Sequence, residues 1–167
     1  QGQIQSGTVH TEVEGSVVKE DKAGKKETVR QKVRESDVTY ESGKVVKTVT
    51  KEFNTDLTLG DETTTEYGKD VVFDAQGRVK SGTVTSTVVG DVTKKVNGKD
   101  EVVRQKLRST VLSYGSSRVE KSVTQEFNTD LSLGEKSVTT YPASVVFDAQ
   151  GQIQSGTVHT EVEGSVV

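Results

Sequence analysis

Apolar and polar residues alternate along this chain with a period of two. From Val45 the odd positions read Val45, Lys47, Val49, Lys51, Phe53, Thr55, Leu57, Leu59, while the even ones read Val46, Thr48, Thr50, Glu52, Asn54, Asp56, Thr58. Near the amino end, Gln5, Gly7, Val9, Thr11, Val13, Gly15 and Val17 alternate with Ile4, Ser6, Thr8, His10, Glu12, Glu14 and Ser16. Successive side chains of a strand leave opposite faces, so this pattern predicts strands, and the abundance of Val and Thr favours the pleated backbone over a helix. No segment carries the helical period. The pattern predicts an all-β chain of tandem antiparallel β-meander repeats, with strands of about 12 to 16 residues and tight hairpins, forming an elongated sheet, ribbon or tube.

Turn chemistry places the hairpins. Asp21-Lys22-Ala23-Gly24-Lys25, Tyr40-Glu41-Ser42-Gly43-Lys44 and Asp74-Ala75-Gln76-Gly77-Arg78 each read as a three-residue loop ending in Gly, which takes the left-handed position after a type I turn. Val96-Asn97-Gly98-Lys99 reads as a two-residue type I′ loop. Leu59-Gly60-Asp61-Glu62 and Leu133-Gly134-Glu135-Lys136 have Gly in first place, which suits type II′. Four turns per unit predict four strands per unit.

Residues 1–18 recur letter for letter as residues 150–167. Inside that period lies an older repeat: residues 1–75 and 76–149 align with one residue deleted and agree at just over half of their positions. The deletion converts the Asp21–Lys25 loop into the Asn97-Gly98 loop, one allowed hairpin into another. The chain therefore reads as repeat unit A over 1–75, repeat unit B over 76–149, and the first strand of a further unit A over 150–167. A fixed period of this length marks a repeat architecture, and near-identical copies mark a window on a tandem array.

Two blocks kept in both units, Arg30-Gln31-Lys32 with Arg104-Gln105-Lys106 and Glu52-Phe53-Asn54-Thr55-Asp56 with Glu126-Phe127-Asn128-Thr129-Asp130, read as two sides of one ladder. A three-residue loop at 41–43 sets Lys32 opposite Glu52, Arg34 opposite Thr50, Arg30 opposite Asn54 and Thr28 opposite Asp56, each pair adding ~0.2–1 kcal/mol. The weak place is Tyr67-Gly68-Lys69-Asp70, replaced by Tyr141-Pro142-Ala143-Ser144. Pro has no N–H to give a central ladder, so a bulge, an edge or a joint between sheets is expected there.

Composition adds that the fold is thin. Of 167 residues, 30% are hydrophobic, 5% aromatic and 28% charged, which leaves little for a thick core. Long alternating strands also build transmembrane barrels, but four Tyr, four Phe and no Trp make no aromatic girdles. A net charge of −3 with interspersed signs offers no basic stripe to nucleic acid. Absence of Cys removes disulfides, thiol catalysis and thiolate metal sites. The absence of Met, of a signal peptide and of an apolar run long enough to cross a bilayer fits an internal piece of a longer exported chain.

Candidate chemistry is sparse. His10 shares a face with Glu12 and Glu14 and recurs as His159, but its counterpart in unit B is Thr85. Asp56, Asp61 and Glu62 form an acidic patch without the spacing that wraps calcium. Lys47 and Lys121 fall on the apolar face of their strands, where a cation must reach water or a partner. An isopeptide bond from them to Asn54 or Asn128 would require those asparagines to face the same side, and they alternate to the other. No catalytic triad, phosphate loop or zinc spacing is present. The expectation is a protein that is not an enzyme, with no catalytic, cofactor-binding or metal residues and no cofactor.

Phe73-Asp74-Ala75-Gln76-Gly77-Arg78-Val79 resembles the Tyr-Asp-x-x-Gly-Arg-Leu core of YD (RHS-type) repeats, and Tyr40-Glu41-Ser42-Gly43-Lys44-Val45 echoes it more loosely. That resemblance implies long spiralling β-strips. It departs from the family in its longer strands, few aromatics and one good motif per unit. The Lys/Glu/Thr/Val texture is similar to that of spirochaetal outer-surface lipoproteins with a single-layer sheet, which implies a bacterial surface protein. The reading is a structural repeat segment of a large extracellular or cell-surface fibre, stalk, sheath or tube. Its partners are neighbouring copies of the same repeat through strand edges, with lateral self-association, no nucleic acid and no membrane insertion. The alternatives are an adhesin or ligand-binding array, or an RHS-like encapsulating shell.

Overall fold

A computed structural model of the chain describes residues 2–164. Gln1 and residues 165–167, the outermost letters of the two identical segments, lie outside the described residues. The chain is all-β. Its strands are β1 (Gly7–Glu20), β2 (Lys26–Glu41), β3 (Lys44–Phe53), β4 (Leu59–Tyr67), β5 (Val72–Phe73), β6 (Val79–Val96), β7 (Lys99–Gly115), β8 (Arg118–Phe127), β9 (Leu133–Thr140), β10 (Val146–Phe147), β11 (Ile153–Ser155) and β12 (His159–Glu163). They follow one another as a meander, β1-β2-β3-β4-β6-β7-β8-β9-β12, with β5 paired to β6 and β10 to β11.

The chain divides into two compact units. The first, Gln1–Glu66 with Val88–Gln105, contains β1 to β3, β4 as far as Glu66, the later half of β6 and the first part of β7. The second, Tyr67–Thr87 with Lys106–Val167, contains β5, the other halves of β6 and β7, and β8 to β12.

Strand lengths differ from the even 12 to 16 residues read in the sequence. Long hairpins, 14 and 16 residues in β1 and β2 and 18 and 17 in β6 and β7, alternate with short ones of 10 and 9 in β3 and β4 and 10 and 8 in β8 and β9. The short ones are cut by a turn that sequence reading placed wrongly. Gly60 and Gly134 lie inside β4 and β9, and the chain reverses earlier, over 54–58 and 128–132. Asn54 N–H donates to the Thr58 carbonyl at 2.9 Å and Leu57 N–H to the Asn54 carbonyl at 2.9 Å. Asp56 Oδ1 accepts from the Thr58 N–H at 3.0 Å and from its hydroxyl. The two backbone bonds are those that close the Asp21, Asp74 and Asp148 loops, which do end in Gly24, Gly77 and Gly151 at φ +83°, +82° and +81°. In the 54–58 turn a leucine holds the left-handed place, Leu57 at φ +67°, as does Leu131 at +66°.

The loop after β2 is also corrected. Glu41 pairs with Lys44, leaving a two-residue turn with Ser42 at φ +50° and Gly43 at +76°; its twist matches the strands it joins. A bulge between Thr39 and Tyr40 then shifts the ladder, so Arg34 faces Glu52 and not Thr50. β3 ends at Phe53, so Asn54 and Asp56 are turn residues and not ladder partners of Arg30 and Thr28. Lys32 is not opposite Glu52; its ammonium lies 4.8 Å from the centre of the Phe53 ring. The two kept blocks do meet: Arg34 bonds Glu52 at 2.7 Å, and the Gln31 amide donates to the carbonyls of Asn54 and Thr55 at 3.2 and 3.0 Å. Unit B repeats the ion pair as Arg108–Glu126 at 3.3 Å and the ring contact as Lys106–Phe127 at 5.2 Å.

The expected interruption at 67–70 and 141–144 is present. After Tyr67 the chain turns, Val71 N–H donating to the Gly68 carbonyl at 3.0 Å, and re-enters as the two-residue β5 on β6. After Tyr141 it turns likewise, Val145 N–H to the Pro142 carbonyl at 2.9 Å, and enters β10 on β11. The buried apolar residues among the described ones lie here: Val71 and Val145 in the turns and Val84 on β6. Gly82 is required there: a Cβ would lie 2.6 Å from the Val71 Cα and 2.7 Å from the Asp70 carbonyl oxygen.

Candidate functional site: two strand edges and a charge network

β1 and β12 are the two ends of the strand order, each with one strand neighbour among the described residues. β12 repeats residues His10–Glu14 of β1 letter for letter. β1 pairs with β2, placing Thr11 opposite Ser36 and Glu12 opposite Glu35. β12 pairs with β9, placing Thr160 opposite Thr139 and Glu161 opposite Val138. One strand sequence thus takes a β2-type partner in one copy and a β9-type partner in the other.

On β1 the polar face builds a network. His10 lies opposite Asp37, with Nδ1 2.6 Å from its carboxylate and Nε2 3.3 Å from Glu12. Glu12 and Glu35 face one another as like charges, which alone would destabilise the pair. Lys32 relieves this, its Nζ standing 3.5 Å from Glu12 and 3.0 Å from Glu35, and Lys51 adds a cation 3.9 Å from Glu35. The Asp37 bond first, then Glu12, raises the His10 pKa above its ordinary 6.5. His10 and then Lys32 lower that of Glu12.

His10, Glu12 and Glu35 bring their ligating atoms within 4.8 Å of one another. The Lys32 ammonium already supplies that cluster with a cation, and Asp37 engages the imidazole. Unit B keeps the lysine, as Lys106, and replaces the other members His10, Glu12, Glu35, Asp37 and Lys51 with Thr85, Thr87, Ser109, Val111 and Gln125. In the second copy of that sequence, His159 faces Thr140 and contacts Glu161 at 3.1 Å. The sequence pointed to His10, Glu12 and Glu14 but missed Lys32, Glu35 and Asp37. Counting back from the Asp21–Lys25 loop would set His10 opposite Ser36; a bulge between Val13 and Glu14 moves it to Asp37.

The remaining candidates disperse. Asp56 is engaged by its own turn, Glu62 lies opposite Lys51, and Asp61 is exposed. Lys47 and Lys121 are exposed, opposite Thr39 and Ser113. The side-chain amides of Asn54 and Asn128 donate to Thr58 and Ser132, both at 3.0 Å. A shallow hollow of about 380 Å³ is lined by Tyr114, Arg118, Phe147 and Gln150. Arg118 stacks 4.8 Å from the Phe147 ring centre and donates to the carbonyls of Pro142, at 2.8 Å, and Val145, so its guanidinium is occupied in holding the 142–145 turn.

No protein-family model, no curated protein and no solved structure matches this chain. Among the described residues no helix is long and apolar enough to cross a membrane.

Proposed function

We propose that this chain is a structural repeat segment of a large extracellular or cell-surface fibre, stalk, sheath or tube. One observation carries the reading: residues 1–18 and 150–167 are identical, and that one sequence pairs with β2 where it begins a period and with β9 where it ends one. A strand with partners for both of its edges is what a tandem array requires at each junction. Identical copies then continue the antiparallel ladder, whose backbone hydrogen bonds carry load along the array. The polar groups found on the strand faces are engaged with one another across neighbouring strands, a holding role and not a reacting one.

The reading is tested by electron microscopy of a chain containing several periods. A particle whose length grows in proportion to the number of periods supports it; particles of constant length and growing width overturn it. Binding of the same chain to glycans, matrix or cells, with no change of length, would favour the adhesin array instead.

A further inference from the structure

We propose that the outer edge of β1, together with the open space over Gly7, is a docking site for residues 133–147 of a second copy of this chain. The proposal rests on the array reading for its occupant, a repeat of this same sequence, while the docking itself belongs to the single chain.

Three equivalent places in the sequence allow a comparison: Ser6-Gly7-Thr8-Val9, Ser81-Gly82-Thr83-Val84 and Ser155-Gly156-Thr157-Val158. The second and third are occupied. At Gly82 the 68–71 turn lies against the backbone, and β5 pairs beyond it, with Val72 opposite Ser81 and Phe73 opposite Val79. At Gly156 the 142–145 turn does the same, a Cβ there falling 2.7 Å from the Val145 Cα, and Val146 and Phe147 pair with Ser155 and Ile153. The first is empty. A Cβ on Gly7 would meet no described atom within 4 Å.

The empty place nevertheless holds the conformation of the filled ones. Gly7 has φ +109°, against +107° at Gly82 and +105° at Gly156. Val9 is 38% exposed, whereas Val84, under its turn, is 5% exposed. Residues 2–5 form no strand, although Val79 and Ile153, the equivalents of Ile4, both begin one. Each difference is the removal of one partner: a β9-type strand, its turn and the short strand after it. Because residues 4–14 carry the same letters as 153–163, the edge offers to that partner the chemistry that β9 already accepts inside the chain.

The register follows. His10, Thr11, Glu12, Val13 and Glu14 take Thr140, Thr139, Val138, Ser137 and Lys136 of the second copy, as residues 159–163 do within the chain. Thr11 gains the hydroxyl contact that Thr160 makes with Thr139 at 3.0 Å, and Glu14 meets Lys136 as an opposite charge. In that second copy the incoming β1 takes the place of β12, so two whole chains join by exchange of one identical strand for another.

A synthetic peptide of residues 133–148, added at millimolar concentration to the isotopically labelled 167-residue chain, isolates the docking from that exchange. Amide spectra and hydrogen exchange are the readout. Saturable shifts at residues 4–14, with amide exchange in β1 slowed at least about tenfold, are expected. Gly7→Ala places a methyl in the path of the incoming turn and should weaken binding at least about tenfold. Gly77→Ala, at φ +82° and equally open, carries the same backbone strain away from the site and should leave binding unchanged. Absence of shifts at 4–14, shifts confined to 153–163, or equal binding by the Gly7→Ala chain overturns the proposal. A multi-period fibre in micrographs with a silent peptide would remove the Gly7 site and leave the array. A docked peptide with no elongated array would do the reverse.

Discussion

Ser116 and Ser117 hold φ +53° and +63°, a left-handed pair where unit A has Ser42 and Gly43. An L-residue with a Cβ is strained there by roughly 1 kcal/mol or more, and Gly is not, though Gly also raises the entropy of the unfolded chain. Ser117→Gly should therefore stabilise the protein by about 0.5–1 kcal/mol, read as a higher denaturant midpoint; the Ser117 N–H bond to the Lys80 carbonyl is kept. Gly82→Ala should act oppositely, costing more than about 2 kcal/mol, because the methyl meets backbone and not a side chain that can turn aside. His10 gives the pH dependence. Its pKa is raised in the folded chain, so its contribution to stability is complete below pH 6.5 and is lost as pH rises through the folded value. The melting temperature should fall across that window in the parent chain and less in His10→Gln, and by NMR His10 should titrate above 6.5, dropping in Asp37→Asn. Loops that end in Gly were legible from their letters because only Gly takes that position without strain. The 54–58 turn was not, since Leu57 accepts the strain and the nearby Gly60 offered a plausible but wrong reversal.

Among elements, the long hairpins and their pairing order came directly from alternation and turn chemistry, but register did not. Each bulge, at Val13/Glu14 and at Thr39/Tyr40, moves every later pair by one residue, and bulges leave no mark on the alternation of so polar a strand. That is why the Arg-Gln-Lys and Glu-Phe-Asn blocks were matched to each other correctly as blocks and wrongly as residues. Gln31 ties the two together, donating to both the Asn54 and Thr55 carbonyls, so Gln31→Ala should loosen the β3–β4 turn and cost about 1–2 kcal/mol. Faster amide exchange at Leu57 and Thr58 than at the turn bonds of Asp74 would mark the loss as local. An unchanged exchange pattern would count against this role. The charge network was illegible for the same reason as the register: its members are joined across three strands, and apart from His10 with Glu12 and Lys32 with Glu35 its direct partners lie far apart in sequence.

For the molecule as a whole, a sparse core was readable from a composition of 30% hydrophobic residues, and among the described residues the buried apolar side chains are Val71 and Val145, in the turns after β4 and β9, and Val84 on β6. Most other apolar strand residues are half-buried, so unfolding exposes less new apolar surface than it would from a thick core. The heat-capacity change on unfolding scales with that surface, so calorimetry should return clearly less than the usual 12–15 cal/mol/K per residue; a value in that range would mean a hidden core. A small heat-capacity change flattens the curve of stability against temperature. Such a chain loses little on cooling, since the hydrophobic term that weakens in the cold was never its main support. Val71, Val84 and Val145 thereby set how the protein meets its climate: a chain whose stability is nearly the same in the cold as in the warm.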